Sequence, residues 1–112
     1  MTIAPVLKGT LDVLVLKALQ AGAKHGFEIA VWLEERSGGT LAVEDGALYQ
    51  ALYRMEERGL VEADWGITAN NRRARYYRLT TSGRRHLRAE SAALLRSART
   101  VTAILTESAT AP

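Results

Sequence analysis

The chain has 112 residues, of which 47% are hydrophobic, and its formal net charge is +3, so we expect one domain with a small core. It contains no cysteine, which excludes disulfides and thiolate metal sites, and its two histidines lie far apart in sequence, so no metal or cofactor is predicted. Apolar runs stay below the roughly 18 residues of a membrane span, and the cysteine-free composition suits a cytoplasmic protein.

The first predicted helix covers about residues 11–21, with Thr10 as its capping residue. Leu11, Leu14 and Val15 begin an i, i+3, i+4 pattern, and further apolar residues lie between and after them. A helix that is apolar on nearly every side needs cover from more than one direction. Leu11 and Leu14 are therefore candidate contacts with a second copy of the chain.

A second helix is predicted over about 26–36, and Gly38 and Gly39 end it. The next segment, "TLAV" at 40–43, is apolar and partly β-branched, so it is a candidate for a small strand.

The third predicted helix covers about 46–58, and Leu48, Leu52 and Met55 form its core stripe. The opposite face offers hydroxyl, amide and guanidinium groups, which can contact phosphates or base edges of a nucleic acid. The residues of that face are Tyr49, Gln50, Tyr53 and Arg54. The alternative is half-buried packing for the two tyrosines and a solvated surface for the other two.

Two strands, 60–65 and 75–79, are predicted to form a hairpin around the polar loop "GITANNRRA". Residues 72–99 contain nine arginines and one acidic residue, Glu90, whereas residues 1–71 carry six basic and ten acidic side chains. A basic block inside an otherwise acidic chain suggests contact with a polyanion. The alternative is a solvated, arginine-rich surface.

The last predicted helix covers about 81–107 after the capping sequence "TTSG", and at 1.5 Å per residue it is about 40 Å long. Its apolar residues have heptad-like spacing, which predicts pairing with a second helix. They are Leu87, Leu94, Ala98, Val101 and Leu105. We expect residues 108–112 to be a disordered tail.

This order of elements predicts a mainly α fold with a β-hairpin: a winged helix-turn-helix domain, 1–79, followed by a long C-terminal dimerisation helix, 80–107. In that plan the third helix enters the major groove of DNA, and the hairpin, or wing, touches the neighbouring backbone. The alternative is a basic RNA-binding module, although the sequence shows no aromatic stacking platform. An enzyme is not expected, because there is no cysteine nucleophile, glycine-rich phosphate loop or nucleophile elbow.

Four segments resemble the PadR family of bacterial transcriptional regulators: "KGTLDVLVLKAL", "HGFEIA", "DGALYQALYRMEERGLVEADW" and "RRARYYRLTTSGRRHL". The resemblance covers about residues 8–88. The short C-terminal part of the chain resembles the smaller members of the family, which have a single C-terminal helix. It implies a homodimeric repressor that binds a palindromic operator in double-stranded DNA and is often released by a small-molecule effector. Phe27, Trp32 and Trp65 are candidate walls of an effector pocket, with ordinary core packing as the alternative.

The same resemblance implies DNA contacts on the third helix and on the wing. These residues are Ala47, Tyr49, Gln50, Tyr53, Arg54, Asn70, Asn71, Arg72, Arg73 and Arg75. Many relatives have proline where this chain has Gln50, and Ser or Thr where it has Ala47. The first departure adds an amide that can read a base, and the second removes a hydroxyl.

Overall fold

The computed structural model describes residues 9–109, which form four helices and three strands. Three helices, a hairpin and a long final helix follow one another as predicted, with one additional two-residue strand. The elements are α1 Thr10–Ala18, β1 Lys24–His25, α2 Gly26–Arg36, α3 Asp45–Glu57, β2 Val61–Ile67, β3 Arg73–Leu79 and α4 Thr81–Leu105.

Side-chain caps determine where α2 and α4 begin. Nδ1 of His25 accepts the backbone N–H of Glu28 at 3.3 Å, and the Glu28 carboxylate accepts the backbone N–H of His25 at 3.1 Å. This reciprocal pair is a capping box for α2. The hydroxyl of Thr80 accepts the N–H of Gly83 at 2.9 Å and caps α4, as the sequence predicts.

Helix α1 is shorter than predicted and begins differently. Gly9, with φ 88°, occupies the cap position and Thr10 is the first helical residue, so the prediction of Thr10 as the cap is wrong. The helix ends at Ala18, because the chain turns immediately afterwards, with the N–H of Gln20 bonded to the carbonyl of Lys17 at 3.1 Å.

The core lies between the first three helices, the base of the hairpin and the start of α4. Val15, Leu16 and Leu52 are completely buried, while Leu11 and Leu14 are partly buried against the same core. Much of the cover that α1 needs therefore comes from its own chain. Contact of Leu11 and Leu14 with a second copy stays a prediction.

The three strands form an antiparallel sheet in the order β1-β3-β2. Both edges of β3 are therefore paired, and residues 40–43 form no strand, so that prediction is wrong. Hydrogen bonds to Ser37 hold this segment instead: the hydroxyl accepts the N–H of Leu41 at 2.9 Å, and the carbonyl accepts the hydroxyl of Thr40 at 2.7 Å.

The hairpin is longer and its loop tighter than predicted, because β2 continues to Ile67 and β3 starts at Arg73. Three hydrogen bonds between Thr68 and residues 71–72 close the turn, the shortest being the Thr68 N–H to the Arg72 carbonyl at 2.8 Å. Asn71 takes the left-handed conformation, with φ 61°, that asparagine tolerates better than most residues. The wing tip is thus an ordered five-residue connection.

Helix α4 is packed at its start and exposed along its second half. Gly83 and Leu87 are buried, Leu94 is partly buried against the core, and every residue from Leu95 to Leu105 is exposed. The chain is elongated, with extents of 65 × 28 × 22 Å. Across residues 9–109, no helix has both the length and the apolarity needed to cross a membrane.

Candidate nucleic-acid interface

Helix α3 has one buried face and one exposed face, as the periodicity predicts. Leu48, Leu52 and Met55 are at most 1% exposed. The residues predicted to contact DNA lie on the other side, and all five are exposed: Ala47, Tyr49, Gln50, Tyr53 and Arg54. Tyr53 is 65% exposed, which excludes half-buried packing for it within this chain, whereas Tyr49 is 50% exposed and so remains half-buried, as the alternative has it.

Tyr49 projects from α3 towards the first turn of α2. A Cβ atom built on Gly26 would lie 2.7 Å from Cζ of the Tyr49 ring, so a larger residue at position 26 would push this half-exposed ring aside. The outer end of the Tyr49 ring, with its hydroxyl, therefore lies beside the start of α2.

Two other polar residues of this face, Tyr53 and Arg54, already have partners within the chain. The Arg54 guanidinium forms an ion pair with Asp12 of α1 at 3.0 Å, although the arginine side chain remains 55% exposed. A hydrogen bond with Glu57 raises the pKa of the Tyr53 hydroxyl. Both side chains nevertheless lie at the surface and remain accessible to a large partner.

The wing tip presents a second polar surface. Asn70, Asn71, Arg72 and Arg73 are all exposed. The Arg73 guanidinium lies 4.5 Å from the centre of the Trp65 ring, in a cation–π contact. Within residues 9–109, the guanidinium groups of Arg72 and Arg73 make no ion pair, so both are available to an anion.

Arg75 differs from the two arginines before it. Its two terminal nitrogens donate to the two carboxylate oxygens of Glu56 at 3.2 and 2.9 Å, and this hydrogen bonding raises the arginine pKa. The guanidinium also lies 5.7 Å from the ring centre of Tyr77, whose own pKa is raised by burial. Arg75 thus connects the wing to α3.

The opposite face of the hairpin carries a separate charge cluster. Arg78 donates to Glu62 at 3.1 Å and to Asp64 at 2.6 Å. Glu62 is directly opposite Arg78 across the strand pair, and alternate residues of a strand share a face, so the cluster points away from Arg73 and Arg75. The hydrogen bond with Asp64 is the largest cause of the raised pKa of Arg78.

A groove of about 610 Å³ separates the start of α2, the exposed face of α3 and the inner face of the wing. His25 lines it from β1, Phe27 from α2 and Tyr49 from α3, and the wing contributes Arg72 and Arg73. In residues 9–109, no three histidine or carboxylate side chains are placed to hold a metal ion. The arrangement suits a long anionic partner that contacts helix and wing together.

Two aromatic residues at this groove are more exposed than core packing would leave them. Phe27 and Trp65 are 71% and 61% exposed, so the core alternative for both is wrong. Trp32 is partly buried and packs under the Arg36 guanidinium, 5.2 Å from the ring centre. No feature of the sequence signalled that Phe27 and Trp65 are exposed, because their exposure arises where the hairpin extends beyond the core.

Three helices, an exposed third helix and a hairpin with a basic tip define a winged helix-turn-helix protein. The chain belongs to the PadR-like family of transcriptional regulators, whose family model matches residues 15–89. The resemblance seen in the sequence is therefore confirmed, and so is the predicted fold with its additional C-terminal helix.

Solved structures of this family have the same architecture. A PadR-like regulator from Bacillus cereus superposes with a TM-score of 0.79 at 23% identity, covering 94% of this chain and 100% of that one. A PadR family regulator from Eggerthella lenta gives 0.76 at 27% identity, covering 92% and 88%. Bacillus subtilis PadR, in complex with operator DNA, gives 0.64 at 22% identity, covering 71% of this chain and 45% of that one.

Proposed function

We propose that this regulator binds a specific duplex DNA operator through α3 and the wing. The observation that carries the proposal is the groove in which Tyr49, on the exposed face of α3, meets two wing arginines without ion-pair partners in residues 9–109, Arg72 and Arg73. The operator complex of Bacillus subtilis PadR supports it, because that protein shares the fold.

In this proposal α3 lies in the major groove, where a recognition helix reads base edges. The amide of Gln50 and the hydroxyl of Tyr53 are exposed on the face that would meet the bases, and Ala47 lies at its start. The wing carries Asn70–Arg73 onto the adjacent backbone, where a guanidinium matches the geometry of a phosphate.

The regulator acts as a homodimer in this proposal, joined by the apolar stripe of α4 with the outer side of α1. Leu94 marks the place where the stripe leaves its own core, and Ala98, Val101 and Leu105 continue it on the exposed part of the helix. Leu87 is only 4% exposed in the single chain, so it is already buried and would support the stripe from within the core. Two-fold pairing would present two copies of α3 to a palindromic site.

The proposal extends to cytoplasmic repression that a small-molecule effector relieves. An effector changes DNA affinity only if it binds two arrangements of the dimer unequally. It would act by altering the angle between the α4 pair and the winged-helix domains.

Selection of bound sequences from a random duplex pool tests the proposal as a whole. We expect enrichment of an inverted repeat whose half-sites are centred about 10 base pairs, or a multiple of that spacing, apart. Structured RNA should compete poorly with the selected duplex. A pool without enrichment, or stronger binding to the RNA, would favour the alternative of a basic RNA-binding module.

Replacing Arg72 and Arg73 by glutamine should weaken binding to operator and random duplexes alike, because phosphate contacts carry no sequence information. With two arginines lost from each of two wings, the slope of log affinity against log salt should become shallower by about 3 to 4. Fluorescence anisotropy over a salt series measures this slope. Arg36→Gln, at the other end of α2 from the groove, is the matched control and should leave the slope unchanged.

Gln50→Ala should relax the operator preference at one position in each half-site, by about 1–3 kcal/mol per contact, and leave affinity for random duplex intact. Repeating the sequence selection with the variant locates that position. Gln20→Ala, outside α3, is the control for loss of an exposed amide. Equal losses on operator and random duplex would show that Gln50 does not read a base.

A further inference from the structure

Arg75 occupies the only wing position, among residues 9–109, where an arginine reaches back to α3. Each of its two terminal nitrogens meets one oxygen of Glu56, the bidentate arrangement that makes arginine–carboxylate pairs both directional and strong. The side chains are 39% and 31% exposed, so the pair is partly shielded from water. Tyr77, 6% exposed, lies beneath the guanidinium.

The Arg75–Glu56 pair joins the hairpin to α3 at a point nearer the wing tip than the buried core residues. The hairpin is anchored at its base, where Val61, Tyr77 and Leu79 are buried. Beyond Tyr77 the inner face of the hairpin opens to solvent at Trp65 and Ile67, each 61% exposed. The Arg75–Glu56 pair is therefore the polar contact that ties the outer part of the hairpin to the C-terminal half of α3.

A phosphate contact by Arg75 would conflict with this geometry. The guanidinium already donates to both oxygens of Glu56, so a phosphate would have to displace that carboxylate or approach it closely. Two anions near one cation repel each other. Arg73, two residues nearer the tip, stacks on Trp65 and has no carboxylate partner in residues 9–109.

We propose that Arg75 is a positioning residue, which through Glu56 sets the spacing between the recognition helix and the wing, and does not itself contact DNA. The effect on DNA affinity rests on the proposed function, because the spacing between α3 and the wing must match the distance from the major groove to the neighbouring backbone. It replaces the sequence-based assignment of Arg75 as a phosphate contact.

A double-mutant cycle on operator affinity tests the inference. Glu56→Gln and Arg75→Gln, alone and combined, are measured by anisotropy over a salt series, with Arg72→Gln in both backgrounds as the control. In the Glu56→Gln background, Arg75→Gln should cause no further loss and no change in salt slope. Arg72→Gln should lower affinity equally in both backgrounds and make the slope shallower by about 2 per dimer.

Arg75→Gln in the wild-type background should lower operator affinity about threefold to tenfold, because two wings per dimer lose their spacing. A full loss on Arg75→Gln in the Glu56→Gln background, accompanied by a shallower salt slope, would overturn the inference and return Arg75 to the phosphate contacts.

Amide hydrogen exchange of the DNA-free protein gives an independent result. The outer amides of β2 and β3 should exchange faster in Glu56→Gln and in Arg75→Gln to the same extent, and at the wild-type rate in Arg72→Gln. Unchanged exchange in the first two variants would refute the bridge. If the wild-type protein binds no duplex at all, the proposed function fails, and hydrogen exchange still decides whether Arg75 and Glu56 hold the wing.

Discussion

Val101→Asp is expected to convert the regulator to a monomer and to lower its affinity for a palindromic operator by about a hundredfold to ten-thousandfold. The side chain is 53% exposed in the single chain, so the substitution leaves the core of the winged-helix domain intact. In the proposed dimer it would bury two carboxylates in an apolar seam, which is unfavourable without partners. Losing the seam also removes the advantage of binding two half-sites at once.

Ala103→Asp provides the matched control, because two residues along a helix amount to a rotation of about 200°. It introduces the same charge into the same exposed turn of α4, but on the opposite side from Val101. Sedimentation equilibrium should show a dimer for Ala103→Asp and a monomer for Val101→Asp. A dimer of unchanged stability in both variants would refute the α4 seam.

Gly83→Ala is expected to lower the free energy of unfolding by about 2–3 kcal/mol, even though alanine is the better helix former. A Cβ atom at this position would overlap the backbone carbonyl of Leu60, which cannot move aside as a side chain could. The displaced helix would also strain two hydrogen bonds of Thr80, to the Leu60 carbonyl at 3.1 Å and to the Gly59 carbonyl at 2.6 Å.

Gly46→Ala tests the same exchange without the collision. Gly46 lies in the first turn of α3, and a Cβ atom there would meet nothing within 4 Å. We expect a gain of a few tenths to about 1 kcal/mol from helix propensity. Urea unfolding at a fixed protein concentration compares the two variants, and a gain for both would show that α4 is not docked tightly on Leu60.

The order of elements and the two faces of α3 were predictable, because they depend on spacing between near neighbours. Leu48, Leu52 and Met55 repeat at helical intervals, and the capping threonine before α4 is a local signal. The two-residue strand β1 was missed because Lys24 and His25 have no strand-like composition, and they pair only because β3 passes beside them.

The partners of the charged side chains could not be predicted, because they depend on contacts between distant segments. Asp12 and Arg54 are 42 residues apart, and Glu56 and Arg75 are 19 apart. In the sequence Arg75 is indistinguishable from Arg72 and Arg73, and only the packing of the hairpin against α3 separates their environments. The exposure of Phe27 and Trp65 depends on the same tertiary arrangement.

The cluster of Arg78 with Glu62 and Asp64 has a consequence for how a duplex can approach. One guanidinium shared between two carboxylates leaves the outer side of the hairpin with a slight excess of negative charge, which discourages a second nucleic acid from settling there. The wing is therefore attractive to polyanions from one direction, and a dimer built in this way would resist bridging two separate duplexes into a network.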